Sequence, residues 1–258
     1  MMDSTSYAED FLNKMDDSIV GRMVVPGNDV TQLITPSDAV MIGPGLAQRD
    51  GRVIATAVGD VNSRSSTYWI GSSSKRYSPC LGDHVVGIIE NKGGDYYNVN
   101  VFAGATCIMN RLAFDGATKR NKPELKKGDV IYCRVVSAAP DTDTELSCTI
   151  QSGPKKEWST GETVYGALPR GLLVKLTLRQ AHSMLQPDSA LLTALQRHFS
   201  FEVAIGMNGA VWIRAAGDSA VDGIAIRNAV INAEHLDDAE INAMVDQIAK
   251  RSKNVKTK

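Results

Sequence analysis

The stretch from Gly82 to Glu90, GDHVVGIIE, opens a segment that decides the fold and runs on to Ile150. In it Val85, Gly87 and Ile89 alternate with Val86, Ile88 and Glu90. A Gly93-Gly94-Asp95 turn follows. YYNVNV then puts Tyr97, Val99 and Val101 on one face and Tyr96, Asn98 and Asn100 on the other, the period of two of a half-buried strand. A third apolar run, Ala105 to Met109, leads into the loop DGATKRNKP, Asp115 to Pro123. Lys126-Lys127-Gly128-Asp129 turns the chain into VIYCRVV, and ELSCTI ends the unit. Five short strands joined by Gly/Asp turns predict a closed barrel, because closure removes the exposed edges of an open sheet.

Around this barrel the chain is ordinary in bulk. It has 258 residues, 43% hydrophobic and 22% charged, enough for up to three small domains with cores of their own. Its net charge is −1 and its pI about 6.4, so any nucleic-acid contact must come from a local basic patch. Cys80, Cys107, Cys133 and Cys148 stand far apart with no C-x-x-C pair, and the four histidines are scattered, so no metal or other cofactor is expected. Three of the cysteines fall in apolar strand patterns and read as small buried hydrophobes. Neither a run of eighteen apolar residues nor a signal-peptide pattern is present, which argues against secretion and membrane insertion.

Before the barrel, residues 1–22 read as a polar arm with a nascent helix at Phe11, Leu12 and Met15. Residues 23–78 form a β-rich domain cut by Pro26-Gly27, Gly43-Pro44-Gly45, Asp50-Gly51 and Gly71. The GPG lacks dinucleotide-loop spacing and precedes no helix, so it reads as a turn. The barrel domain spans 79–151, and Ser152 to Lys156 is a linker. From Gly171, LLVKLTL is a strand, Arg179 to Gln186 a short helix stopped by Pro187, and Asp188 the cap of a second helix. FEVAI and AVWIR form a hairpin around Asn208-Gly209, where both residues are expected at φ > 0 in a two-residue turn. A helix from Ser219 to Ala233 follows. Strand, two helices, two strands, helix is the order of a KH domain, here 163–236. Residues 237–258 add a helix with an Asp237/Glu240 capping box and a basic tail.

The barrel pattern resembles the S1 type of oligonucleotide-binding barrel. The fold class is thus mainly β with α/β: an N-terminal β domain, a five-stranded S1-type barrel and a KH-type domain. YW at Tyr68-Trp69, KRYSPCLGDHVVGI from Lys75 to Ile88, FDGATKRNKP from Phe114 to Pro123 and GMNG from Gly206 to Gly209 stand in one order. Together they resemble the ribosomal RNA-processing family of RNA exosome cap subunits. That resemblance implies a non-catalytic subunit which docks on a ring of nuclease-like subunits beside other cap proteins. It implies single-stranded RNA as the other partner, 3′-to-5′ RNA processing and degradation including that of rRNA, and a place in nucleus, nucleolus and cytoplasm. A free-standing S1/KH RNA-binding protein is the alternative.

The candidate RNA-binding residues are Lys119, Arg120 and Lys122 in one loop, Tyr96 on the outer barrel face, and Lys75 and Arg76 just before the barrel. Basic side chains can meet phosphates, or form only a solvated surface; an outward tyrosine can stack a base, or be a plain strand residue. The KH position that holds phosphate in a working G-x-x-G loop reads Leu185-Gln186-Pro187-Asp188. Proline there removes a donor and aspartate repels phosphate. Gly206-Met207-Asn208-Gly209 matches G-x-x-G only as text and reads, with Trp212 in the next strand, as a structural turn. The acids Asp141, Asp143 and Glu145 lie in a hairpin turn, and no catalytic constellation accompanies them.

Overall fold

The structure, a computed structural model, describes residues 22–34, 40–64, 66–71, 76–104, 106–139, 141–151, 158–160 and 163–256. Residues 1–21 of the expected arm, Lys75 and the expected linker Ser152 to Lys156 lie outside the described residues. The chain divides into two compact units, Met1–Ser74 and Lys75–Lys258.

The first unit holds β1 (Met23–Val24), β2 (Met41–Ile42), β3 (Leu46–Arg49), β4 (Arg52–Ala55), β5 (Gly59–Arg64) and β6 (Thr67–Gly71). Four of them form a sheet in the order β1-β5-β6-β2, and β3 and β4 pair as a hairpin. Val24, Val30, Val61, Tyr68 and Ile70 are buried between them. The GPG segment has its backbone committed to this sheet. Gly43 N–H donates to Tyr68 C=O at 2.7 Å, Ile70 N–H to Pro44 C=O at 2.9 Å and Thr56 N–H to Gly45 C=O at 2.8 Å. It is a stitch between hairpin and sheet, not an anion cradle.

The second unit opens with the barrel: β7 (His84–Gly93), β8 (Tyr96–Asn100), β9 (Cys107–Phe114), β10 (Val130–Ser137) and β11 (Thr144–Cys148). The strands run β11-β9-β8-β7-β10, and a β10–β11 pairing closes the ring. Val85, Ile89, Tyr97, Met109, Ile131 and Cys133 fill the interior, each at most 1% exposed. The alternation holds along β8 and β10 but fails at Val86, an outward residue that is nonetheless fully buried. Its face of the barrel is covered by the domain that follows. Tyr77 also belongs to the barrel core, so the barrel begins a little earlier than the sequence pattern suggests. The third strand, in turn, starts at Cys107 and runs on to Phe114.

A two-residue strand, β12 (Gly166–Ala167), adds to β10 and leads into the KH-type domain. There β13 (Leu172–Lys175), α1 (Leu178–Leu185), α2 (Ala190–Gln196), β14 (Phe201–Ile205), β15 (Ala210–Ala215), α3 (Ala220–Asn232) and α4 (Asp238–Lys256) follow in order. The sheet runs β13-β15-β14, all antiparallel. One face packs on the helices through Val174, Val211 and Ile213 against Leu195, Ile226 and Val245. The other face, carrying Ala210 and Trp212, packs on the barrel at Val86, with Val130 and Tyr132 partly buried beside it. The sheet is thus the middle layer between helices and barrel.

Local signals set the helix ends, with one correction. Thr177 caps α1, its side chain accepting from Gln180 N–H. Ser189, not Asp188, holds the N-cap position of α2; Asp188 sits one residue outside, exposed in the turn. At α4 the capping box is reciprocal: Glu240 N–H donates to Asp237 Oδ1 at 2.8 Å, and Asp237 N–H to Glu240 Oε2 at 3.2 Å. This helix is part of the domain core rather than an appendage, because Ile241, Val245 and Ala249 are buried in it.

Candidate nucleic-acid interface

Two turns with glycine, asparagine and basic or polar character stood out in the sequence, and the structure puts them in opposite environments. The GMNG turn is wedged into the barrel. Gly209 N–H donates to Gly206 C=O at 3.0 Å, and only Gly209 is left-handed, at φ 78°; Asn208 is not, and the loop has four residues rather than two. Asn208, 1% exposed, spends its whole amide on barrel backbone. Its Nδ2 donates to Val86 C=O at 2.8 Å and Val101 C=O at 2.9 Å, and its Oδ1 accepts from Val86 N–H at 3.3 Å. Met207 N–H donates to His84 C=O at 2.8 Å. A Cβ on Gly206 would lie 2.7 Å from Val86 N, so only glycine lets the two backbones approach this closely. Trp212 lies beside it, 3% exposed, with its indole N–H donating to Pro169 C=O at 3.2 Å. The GMNG turn thus forms a mortise between two domains, with the Asn208 side-chain amide wholly committed to barrel backbone.

The loop from Asp115 to Pro123 is pinned at both ends and exposed in the middle. Asp115, 4% exposed, accepts Ile150 N–H at its carboxylate (2.9 Å) and Trp158 N–H at its C=O (2.9 Å). At the other end the buried Tyr97 hydroxyl donates to Pro123 C=O at 2.9 Å and accepts Leu125 N–H at 3.2 Å. Between these anchors Thr118 N–H donates to Asn121 C=O at 2.8 Å, which folds the tip into a tight turn. Lys119 and Arg120 are exposed there and have no ion-pair partner among the described residues. Lys122 is half-buried and acts on Glu124. That carboxyl is held below its usual range first by Lys92 at 2.7 Å, then by Arg111 at 2.8 Å and Lys122. So two cations of the three stand unneutralised.

The remaining predicted residues do not all gather at this loop. Tyr96 is 45% exposed at the end of the β7–β8 hairpin. Arg111, which donates to Gly94 C=O and Glu124, ties that hairpin to the loop's end of the barrel. Arg76 is exposed but lies against Gly104, between β8 and β9, where a Cβ on Gly104 would meet its guanidinium at about 3.2 Å. That is the opposite end of β9, about 25 Å from the loop for eight strand residues. Asp141, Asp143 and Glu145 are exposed at that same far end, and no group of three metal-binding side chains exists among the described residues. The α1–α2 turn, Gln186 to Asp188, is exposed and carries no glycine.

Burial sets the remaining chemistry of the barrel. It pushes the Cys107 thiol up to about 11 and drives Cys133 and Cys148 higher still, so these thiols stay protonated and inert. Tyr77 is likewise raised by burial and by its 2.6 Å hydrogen bond to Asp83, which fastens the entry segment to the barrel.

A closed five-stranded barrel locked onto a βααββα domain defines an S1/KH protein, a class built on two modules of single-stranded nucleic-acid recognition. Comparison with known proteins agrees and narrows it. Residues 77–161 match the family model for the exosome complex component RRP40 S1 domain, and 171–218 match that for a KH domain. Exosome complex component RRP40 of Drosophila melanogaster is 33% identical over 87% of this chain and 94% of its own length. That of Homo sapiens is 36% identical over 68% of this chain and 64% of its own. A solved structure described as an exosome complex RNA-binding protein shares the fold, with a TM-score of 0.54 at 18% identity over 70% of this chain and 99% of its own. The chain belongs to the exosome complex component RRP40 family.

Proposed function

We propose that this chain is a non-catalytic cap subunit of the RNA exosome which contacts single-stranded RNA through its barrel. In this role it steadies neighbouring subunits of the ring and guides RNA toward a nuclease elsewhere in the assembly. That would serve 3′-to-5′ processing and degradation, rRNA included, in nucleus and cytoplasm. The observation that carries the reading is the unneutralised pair Lys119 and Arg120 on a loop pinned at both ends. A held loop loses little entropy when its cations meet phosphates, and such contacts are indifferent to base identity. The buried GMNG turn supports a KH domain that builds the scaffold rather than gripping RNA.

The test is native mass measurement of the tagged chain with everything that co-purifies, followed by incubation with end-labelled single-stranded RNA. A complex of about ten subunits, with the purified chain alone leaving RNA intact with or without phosphate and Mg²⁺, is expected. A lone chain would contradict the assembly role. RNA cleavage that titrates with the repurified chain would contradict the non-catalytic one.

A further inference from the structure

The seam between barrel and KH domain gathers a second set of groups suited to single-stranded nucleic acid. On the outer face of β7 and β10, Val86 and Tyr132 are paired across the strands and lie against the KH sheet. One row further, just past the edge of that contact, His84 and Arg134 face each other across the same two strands. Tyr165, from the segment that enters β12, closes over them. Its hydroxyl lies 3.2 Å from His84 Nε2, and its ring sits 5.6 Å from both the His84 and the Tyr132 rings, edge-on to the first and tilted 30° to the second. Arg134 is near enough to Tyr165 to act on its hydroxyl, yet has no ion-pair or hydrogen-bond partner among the described residues. His84 is exposed and Tyr165 half-exposed. An aromatic platform beside a cation with no counter-ion among the described residues matches one nucleotide of a single strand, base on ring and phosphate on guanidinium.

We propose that His84, Arg134 and Tyr165 form a second RNA contact at the seam, Tyr165 stacking a base and Arg134 meeting the adjoining phosphate. The proposal rests on the reading of this chain as an RNA-binding subunit. The seam lies beside the C-terminal end of the 115–123 loop, because Tyr165 lines one cleft with Phe114, Pro123 and Glu124. A bound strand touching both would pass along the barrel wall.

The test uses the full chain and a single-stranded oligouridylate substituted with 4-thiouridine, photocrosslinked and mapped by mass spectrometry, with affinity followed against salt. The wild type is expected to crosslink both within 115–123 and within 163–169. Tyr165→Leu should lose the second crosslink and bind about five-fold or more weakly with its salt slope unchanged, since stacking carries no charge. Tyr165→Phe should keep both. Arg134→Gln, which does not depend on the tyrosine variants folding, should flatten the slope of log affinity against log salt by about 0.7. A wild type that crosslinks only at 115–123, with Tyr165→Leu and Arg134→Gln binding as it does, removes the seam contact and leaves the RNA-binding reading in place. No crosslink anywhere in the wild type removes both.

Discussion

The GMNG turn and the loop from Asp115 to Pro123 use similar residues to opposite ends. In the first, Asn208 is 1% exposed and bonds barrel backbone 122 and 107 residues away. In the second, Asn121 bonds only inside its own turn and holds Lys119 and Arg120 in solvent. The difference lies in who satisfies whom. A buried asparagine is retained because the groups it meets would otherwise be orphaned, whereas an exposed turn is free to offer its charges to a partner. In this molecule the G-x-x-G text marks a joint, and the proposed nucleic-acid surface is the exposed loop.

Substitutions at the joint should be costly, and those in the exposed loop nearly silent in stability. Trp212→Ala removes the largest side chain between sheet and barrel and should destabilise the second unit by about 3–5 kcal/mol in chemical denaturation. A loss under 1 kcal/mol would mean the two domains do not depend on this packing. Asn208→Ala leaves Val86 N–H, Val86 C=O and Val101 C=O without their partner, for a cost of roughly 2–4 kcal/mol by the same measurement. Gly209→Val must adopt φ 78° with a branched side chain whose Cβ would lie 2.7 Å from Leu176 C=O; a cost of about 1–3 kcal/mol is expected in the same unfolding curves. If these variants instead keep their stability and lose RNA affinity, the joint and the RNA surface have been assigned the wrong way round. Smaller still, Pro187→Gly with Asp188→Gly should leave RNA affinity unchanged in a binding titration and alter stability by about 1 kcal/mol at most.

Much of this contrast could be read from the sequence, and its limits are physical. Period-two alternation located the first two barrel strands, whereas the third was read only as an apolar run from Ala105 to Met109 and in fact spans Cys107–Phe114. The same rule failed at Val86, whose outward face is buried by Ala210 and Trp212 of the following domain. Asn208 was singled out as a turn residue, but its partners lie on the barrel, and no local pattern encodes them. The N-cap position expected at Asp188 falls instead on Ser189, whose side chain makes no capping hydrogen bond, so the helix start is set by the turn after Pro187 rather than by a cap. Lys119, Arg120 and Lys122 were grouped correctly as neighbours in one loop. Arg76 was not their neighbour, since sequence adjacency to the first strand says nothing about which end of a barrel a residue reaches.

The central claim is that RNA is met by the barrel's basic loop and not by the KH turn, and the salt dependence of RNA binding tests it most directly. With Lys119, Arg120 and Lys122 all replaced by Ala, folding should change by less than about 0.5 kcal/mol. The slope of log affinity against log salt should flatten by about 1.4 if only Lys119 and Arg120 touch phosphates, and by about 2.1 if Lys122 joins them. An unaltered slope in a folded triple variant would contradict the account.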